Sequence, residues 1–454
     1  MSTVTPTPSK NRTENQPARN QAWLTFTILL IINILNYSDR SVLSAIQTKI
    51  QIEFSLSNTQ LGLLGSSFLF IYALATLPLG VWADRSIRKN IVAACVGLWS
   101  VATLLSGLTH NFIQIFFTRS VLGIGEAGYA PSSLSMIGDL FPKGQRGRVL
   151  SLWSIGNLVG TAIGLILGGI IADKFGWRWA FYMVGLPGLI VAFLIWRSTE
   201  PRRGAFDNEE DAGDETTHLH GSIGKDFWQT AREILKIRTY WVLLGAFIFS
   251  FFTIGSAQTW ITTYLVKDFG LSIAKAGTYS GITLISGSLA GTLIGGWLAD
   301  FLQRRFQQGR MVVATIAFLT GAPLTLVALT LHNLGPFLGV FAMAILCLAL
   351  SLGPLNAILQ DVIAPEIRST ATGLVLLMAH LLGDASAPLL VGAIADYYSS
   401  IGYALFITAP TCLFLAGIAC LIGLRTVADD MNAMQKRADK KPQKGYKKAP
   451  TTHR

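Results

Sequence analysis

Long apolar segments recur along this chain of 454 residues and constrain its fold more than any other feature. Twelve windows of about 20 mostly apolar residues are each long enough to cross ~30 Å of hydrocarbon. They lie at 22–46, 60–83, 90–109, 112–138, 147–172, 178–197, 241–265, 276–299, 311–331, 335–362, 369–395 and 402–424. Only 13% of the residues are charged, so the windows lack the charged outer faces of a large soluble all-helical protein. The sequence therefore predicts an all-α polytopic membrane protein with twelve transmembrane helices.

Basic residues are distributed unevenly between the two sides of the membrane that these windows predict. Of 36 Lys and Arg residues, 29 fall in the two tails, the even-numbered loops and the central loop, and five fall in the odd-numbered loops. By the positive-inside rule, both chain ends are predicted to be cytoplasmic in a multi-pass protein of the cell's inner membrane. The net charge of +11 is then mainly a topology signal and does not indicate a nucleic-acid partner. The expected partners are membrane lipids, and the basic tail at 436–448 either contacts their anionic headgroups or, as we favour, is disordered in solvent.

Two loop motifs occur twice in the chain. Gly80–Lys89 is echoed by Gly295–Arg305, and Gly138–Arg146 is echoed by Gln360–Arg368, at nearly the same separation along the sequence. Two repeats at nearly one offset predict two homologous six-helix halves, a common transporter design. The predicted parts are a disordered cytoplasmic N-terminus at 1–20, a first half at 21–197, a cytoplasmic linker with an amphipathic segment at 198–240, a second half at 241–425 and a basic cytoplasmic tail at 426–454.

Four charged residues lie within predicted spans of the first half. Asp39 and Arg40 are adjacent in the first span, and Arg119 and Glu126 lie two turns apart on one face of the fourth. Charges at membrane depth are costly and usually pair or face a water-filled cavity. Two charges of each sign can form a neutral cluster whose pairing changes when a carboxylate takes up a proton, so we interpret the four as proton-coupling residues. The alternative is a static network of buried ion pairs.

Other polar and aromatic residues within the spans are candidates for substrate binding. They are Asn33, Asn36, Tyr37, Tyr129, Trp153 and Asn157 in the first half, and Gln258, Trp260, Tyr264, Asn356, Gln360, His380 and Asp384 in the second. His380 and Asp384 are one turn apart, and they either share a proton or steady helix packing. The rest of the intramembrane sequence is largely apolar, which favours an amphipathic substrate over a sugar.

No motif for an enzyme or a bound cofactor stands out. The sequence has no P-loop pattern, and the formal G-x-G-x-x-G at Gly123–Gly128 lies within a predicted span and follows no strand. The four cysteines have no metal-ligand spacing. The sequence therefore predicts neither an enzyme nor a metal or organic cofactor, and the buried carboxylates indicate protons as the coupling ion.

The two-half pattern and two of the motifs resemble the major facilitator superfamily. Gly80–Lys89 is similar to its signature G-x-x-x-D-R-x-x-R-[RK], and Arg119–Glu126 is similar to its span-4 motif R-x-x-x-G-x-x-[ED]. Within that superfamily, three segments resemble the Spinster-type lipid transporters: NYSDR (Asn36–Arg40), GIGEAGY (Gly123–Tyr129) and HLLGDASAP (His380–Pro388).

This resemblance implies a monomer with two pseudo-symmetric six-helix halves that works by alternating access on lysolipid or sphingoid-type substrates. It implies a proton-sensitive Asp39–Arg40 pair, an Arg and a Glu on span 4, and a cytoplasmic latch between the halves. The residues assigned to the latch are Gly80, Asp84, Arg85, Arg88, Arg146, Asp300, Arg304 and Arg368. Thr161 follows Gly160 where the superfamily's antiporter motif has Pro, so the direction of exchange stays open. The rival functions are a proton-coupled symporter or a uniporter of a small organic anion, and, from a different class, a non-transporting membrane receptor or a non-carrier lipid conduit.

Overall fold

Helices form the regular structure of residues 19–206, 232–364 and 367–440, which are the residues that a computed structural model of the chain describes. The first half contains α1 (Arg19–Phe54), α2 (Asn58–Asp84), α3 (Arg88–Ser106), α4 (Phe112–Ala127), α5 (Tyr129–Leu140), α6 (Lys143–Phe175) and α7 (Trp177–Arg197). The second half contains α8 (Arg238–Phe269), α9 (Ile273–Gln303), α10 (Gly309–Thr330), α11 (Leu334–Val362), α12 (Arg368–Met378), a π-helical turn (Ala379–Asp384), α13 (Ala387–Tyr398) and α14 (Ile401–Lys440). Most of the predicted N-terminal segment, most of the amphipathic part of the linker and the end of the tail lie outside the described residues.

Eleven of the described helical segments are long and apolar enough to cross a membrane, judged by their length and composition. The predicted fourth span corresponds to two shorter helices, α4 and α5, which meet at Gly128. Pro131 has no N–H to donate to the carbonyl of Ala127, and this explains the break. The predicted all-helical membrane fold is therefore confirmed, with one of its spans divided.

The last helix extends beyond the predicted start of the tail at residue 426, because α14 runs to Lys440. The backbone N–H of Thr239, at the start of α8, donates to the carboxylate of Asp430 over 2.9 Å. Val427 is buried against the second half. These contacts keep the first part of the predicted tail helical and attached to the bundle.

The apolar core distinguishes the two sides of the molecule. We call the side on which α2 and α9 begin the far side, and the side of residues 198–206 the linker side. Around the far side, one buried cluster combines residues of both halves, including Ile46 and Trp260. Towards the linker side there are two clusters instead, one built wholly from the first half and one wholly from the second. The two halves are therefore packed together at the far side.

Candidate functional site

The four intramembrane charges of the first half form two ion pairs between α1 and α4. Arg40 Nε lies 2.6 Å from Glu126 Oε2, and Arg119 Nη1 lies 3.2 Å from Asp39 Oδ1. The hydroxyl of Thr103, on α3, also donates to the Asp39 carboxylate. Glu126 is fully buried, whereas 23% of the Arg40 side chain is exposed. Arg40 is therefore the most accessible charge of the cluster.

Successive residues on a helix point about 100° apart, which explains why Asp39 and Arg40 have different partners. Asp39 points towards α3 and α4, where its carboxylate accepts hydrogen bonds from Thr103 and Arg119. Arg40 points into the space between the halves. Its guanidinium carbon lies 4.7 Å from the ring centroid of Tyr72 and 5.2 Å from those of Tyr37 and Phe68. Aromatic faces attract a cation at these distances and hold it in place.

The two ion pairs leave some buried polar atoms unsatisfied. Among the described residues, Glu126 Oε1 and Arg119 Nε have no hydrogen-bond partner. A buried ion pair stabilises a protein only when its remaining lone pairs and protons are also bonded. One carboxylate oxygen and one guanidinium N–H of this cluster are therefore buried without a partner, which lowers the stability that the ion pairs can contribute.

A cavity with a mixed lining of polar and apolar side chains lies between the two halves beside this cluster, and we call it the polar cavity because it holds the charged groups. Its polar lining comes from Tyr37, Arg40, Ser44, Gln47 and Arg119 of the first half and from Gln258, Thr259, His380 and Asp384 of the second. Gln47 closes the far end of this polar stripe on α1. Its amide donates to the carbonyl of Thr259 over 2.8 Å and to the hydroxyl of Thr263 over 2.5 Å. Gln47 was not predicted, although it lies two turns after Arg40 and continues the same helix face.

An apolar cavity adjoins the polar one. It is lined mainly by aliphatic side chains of α6, α8, α9 and α11, among them Leu158, Leu284 and Leu348. Thr161, Ile254 and Gln258 line both cavities, so the two spaces share a wall. Together they offer charged and hydrogen-bonding groups at one end and hydrocarbon at the other.

The π-helical turn of the second half presents His380 and Asp384 to the polar cavity. His380 Nδ1 lies 2.9 Å from Asp384 Oδ2, and the N–H of Ala385 donates to the carbonyl of His380, the i to i+5 bond of a π-helix. Gly255 of α8 faces the Asp384 backbone, and a Cβ at that position would lie 2.8 Å from its Cα. Asp384 Oδ1 has no partner among the described residues. The pair therefore lines the same cavity as Arg40 and contains one buried acceptor without a partner.

The other predicted substrate-binding residues do not line this cavity: they bond to neighbouring helices, are buried in the core or are exposed elsewhere. Asn33 donates to the carbonyl of Trp153 over 2.9 Å and to Asn157 Oδ1 over 2.6 Å, which joins α1 to α6. Asn36 is buried, Tyr129 and Trp153 stack in the linker-side core, and Trp260 donates to the carbonyl of Pro388. Tyr264 is buried at the far side, and Asn356 and Gln360 are exposed. Of the predicted set, the cavity lining includes Tyr37, Gln258, His380 and Asp384 together with Arg40 and Arg119.

Of the residues predicted as a cytoplasmic latch, Arg88 and Asp300 form ion pairs on their own side of the boundary between the halves. Arg88 Nη1 lies 2.5 Å from Asp139 of the first half, and Arg88 Nε lies 2.8 Å from Glu200, at the start of the linker that follows it. In the second half Asp300 pairs with Arg310, which was not among the residues assigned to the latch, and Arg310 also pairs with Asp361. Arg310 occupies the position in the second half that Arg88 occupies in the first, so the repeat offset was the signal that would have identified it.

The remaining latch residues make local contacts or lie outside what the structure describes. Arg146 and Arg368 donate to the carbonyls of Phe141 and Ile363, respectively, just before them in the chain. Arg85 caps the end of α2 and Arg304 caps the end of α9, each through its backbone N–H. Gly80 lies within α2, and the Asp84 side chain lies outside the described residues.

Comparisons with known proteins agree with this architecture. The family model of the Major Facilitator Superfamily matches residues 29–385. Protein spinster homolog 3 of Danio rerio is 30% identical over 401 residues, which cover 84% of this chain and 78% of that protein. Protein spinster of Drosophila melanogaster is 29% identical over 386 residues, and the match spans 62% of that protein's length.

A third relative and a solved structure extend the match. The sphingosine-1-phosphate transporter SPNS2 of Danio rerio is 29% identical over 445 residues, covering 91% of this chain and 86% of that protein. The fold is similar to the crystal structure of a bacterial homolog to the human lysosomal transporter Spinster, in an inward-facing and unoccupied conformation. The TM-score is 0.77 at 23% identity, covering 92% of this chain and 99% of the other.

Proposed function

We propose, because this chain belongs to the Major Facilitator Superfamily and to its Spinster-like branch, that it carries an amphipathic, lipid-like substrate and couples this movement to protons. By family the protein is a membrane transporter and not an enzyme. One observation carries the proposed substrate class: a polar cavity and an apolar cavity share a wall between the two halves.

A single-chain amphiphile fits this pair of cavities. Its anionic headgroup would lie beside Arg40, the most accessible charge of the cluster. Its hydrocarbon chain would lie among Leu158, Leu284 and Leu348, where burial of apolar surface is favourable. Lysophospholipids and sphingoid phosphates have this composition, and the naming of one relative as a sphingosine-1-phosphate transporter supports this class.

Proton coupling would follow from competition for Arg40. The Glu126 carboxylate holds Arg40 through the 2.6 Å ion pair, so an anionic headgroup must take the place of Glu126. A proton on Glu126 removes the charge that holds Arg40, and protonation and headgroup binding therefore favour each other reciprocally. Asp39, held by Arg119 and Thr103, would be the second protonation switch.

Alternating access would bring the cavities to each side of the membrane in turn. The shared far-side core and the separate linker-side cores support a conformation that is closed at the far side. We assign the linker side to the cytoplasmic face of the cell's inner membrane, because the distribution of basic residues predicts both tails on that face. The described conformation then faces inward and must open at the far side to complete a cycle.

Asp39→Asn and Glu126→Gln mimic protonated carboxyl groups and are expected to abolish the dependence of lysolipid uptake on a pH gradient. Uptake into proteoliposomes, with and without an imposed gradient, measures this. Asp268→Asn removes an exposed carboxylate outside the cluster and should keep the full response to the gradient. A full gradient response in both cluster variants would show that neither carboxylate couples protons to transport.

Two further measurements separate lipid transport from the rival functions. An excess of lysophospholipid should abolish the uptake of any small organic anion that shares the cavity. Vesicles preloaded with lysolipid should show trans-stimulated uptake, which a carrier gives and a lipid conduit does not. Organic-anion uptake that lysophospholipid leaves unchanged would replace the proposed substrate while keeping the fold and the family.

A further inference from the structure

Each half contributes one carboxylate that caps a helix of the other half at the far side. Near the end of α13, Asp396 accepts hydrogen bonds from the backbone N–H groups of Asn58 (2.8 Å) and Thr59 (2.7 Å), from the Asn58 amide (2.8 Å) and from the Thr59 hydroxyl (2.5 Å). Near the end of α6, Asp173 accepts a hydrogen bond from the N–H of Ala274 over 2.8 Å. Asn58 begins α2, and Ala274 lies in the first turn of α9. Both carboxylates thus satisfy N–H groups that a helix start leaves free.

The internal repeat relates these two contacts. Asp396 occupies the position in the second half that Asp173 occupies in the first, and each is preceded by Ile-Ala. Ala274 corresponds in the same way to Asn58. The separations within both pairs agree with those of the repeated loop motifs. The first half therefore caps a helix of the second half in the same way as the second half caps a helix of the first.

A glycine one turn before each aspartate allows the helices to meet. A Cβ at Gly392 would overlap the carbonyl oxygen of Asn58, and a Cβ at Gly169 would lie 2.8 Å from that of Ile273. The two glycines also correspond in the repeat, because they open the matching segments GIIAD and GAIAD. Each half therefore carries a Gly-x-x-x-Asp unit, whose glycine admits the partner helix and whose carboxylate binds the first N–H groups of that helix.

We propose that these two Gly-x-x-x-Asp units, Gly169–Asp173 and Gly392–Asp396, are paired latches that keep the far side closed and set how often it opens. Opening must separate α13 from α2 and α6 from α9, so both caps are lost together and their polar groups pass to water. Asp396 is the stronger latch, since it accepts four hydrogen bonds from the other half and Asp173 accepts one. Asp173 Oδ1 also lies 3.7 Å from Lys49 Nζ of its own half. The latches concern the two conformations of the carrier and do not depend on the identity of its substrate.

Spin labels at positions 110 and 332 would report the opening of the far side. His110 and His332 are exposed on this side, and they occupy corresponding positions of the two halves. The labels require His110→Cys and His332→Cys in the full chain, with the native cysteines replaced by alanine. These are Cys95, Cys347, Cys412 and Cys420. Double electron–electron resonance in lipid nanodiscs then gives the populations of the short and long distances.

Asp396→Ala is expected to raise the long-distance population roughly fivefold, the usual scale for the loss of a helix cap. Asp173→Ala should raise it less, and the double variant more than either. Glu53→Gln is the matched control. Glu53 is also a far-side carboxylate, but it bonds Arg178 (2.7 Å) and Trp177 (2.6 Å) of its own half, so its loss should leave the distances unchanged.

Thr59→Val tests the stronger latch from the other half, because it removes one donor and leaves both aspartates in place. Its effect and that of Asp396→Ala should be less than additive, since both changes remove one contact. Two results would overturn the proposal. One is full additivity of the effects of Thr59→Val and Asp396→Ala, and the other is a wild-type distance distribution in a folded variant that carries both Asp173→Ala and Asp396→Ala. Because the distances are measured without substrate, failure of lysolipid uptake would leave this result standing.

Discussion

At the scale of single residues, the rotation of one side chain relative to the next decides what each charge does. Asp39 and Arg40 are adjacent in the sequence, yet one pairs with Arg119 in the interior and the other with Glu126 beside the cavity. Both partners come from α4, which is distant in the chain. The pairing leaves Arg40 partly exposed at the cavity and keeps Asp39 buried.

Arg40→Gln is expected to lower the free energy of unfolding by about 3–5 kcal/mol, because it leaves the buried Glu126 carboxylate without its cation. Adding Glu126→Gln removes the unpaired charge, so the double variant should recover most of this loss. Unfolding of the detergent-solubilised protein measures both. Arg178→Gln breaks a partly exposed ion pair with Glu53 and should cost no more than about 1 kcal/mol. Equal destabilisation by the single and double cluster variants would contradict this account of the pair.

At the scale of helices, close packing of α1 on α6 supports the site. A Cβ at Gly160 would overlap the carbonyl oxygen of Ile34, and one at Gly164 would overlap that of Ser38. Small residues at such positions let helix backbones approach closely in lipid. This approach brings Asn33 Nδ2 within 2.6 Å of Asn157 Oδ1 and fixes the rotation of α1 about its axis. That rotation determines the direction in which the Arg40 side chain points.

Gly160→Ala is therefore expected to destabilise the protein by about 1–3 kcal/mol, because the added methyl group overfills the α1–α6 contact. Gly245→Ala on α8 is the matched control. A Cβ there meets nothing within 4 Å, so the higher helix propensity of Ala should leave stability unchanged or raise it by about 0.5–1 kcal/mol. Unfolding curves of the two variants would decide the point, and similar curves would argue against tight packing at Gly160.

At the scale of the whole molecule, the apolar cavity belongs to neither half alone. Leu158 and Thr161 of the first half face Leu284, Ser288 and Leu348 of the second across it. A hydrocarbon chain held there would contact both halves at once. Its length would then influence how readily the halves move relative to one another.

Ser288→Phe fills part of this cavity and is expected to select against long-chain lysolipids while sparing short ones. Each methylene displaced from the cavity should weaken binding about fourfold, given ~0.8 kcal/mol per buried methylene. A competition series over chain length measures the shift. Ser286→Phe is the control, because it makes the same change at an exposed position of the same helix. Loss of all chain lengths alike would show that the cavity does not hold the tail.

Some properties of this protein follow from the sequence alone. The apolar windows predicted the helical membrane fold, because hydropathy is a property of a segment and does not depend on its neighbours. The repeat offsets predicted two related halves, because a repeated motif can be recognised in the sequence without knowing which segments are in contact. The cost of a charge at membrane depth identified Asp39, Arg40, Arg119 and Glu126 before their partners were known.

Only the tertiary structure decided which of these residues meet and which face the cavity. Asn33 and Trp260 bond to neighbouring helices, whereas Gln47 and Tyr72, which were not predicted, lie around the cavity and Arg40. A helix shows polar residues on a face, but its rotation is set by packing against partners distant in the chain. The capping of α2 by Asp396 is decided in the same way, since it joins residues 338 positions apart and exists only where the two halves touch.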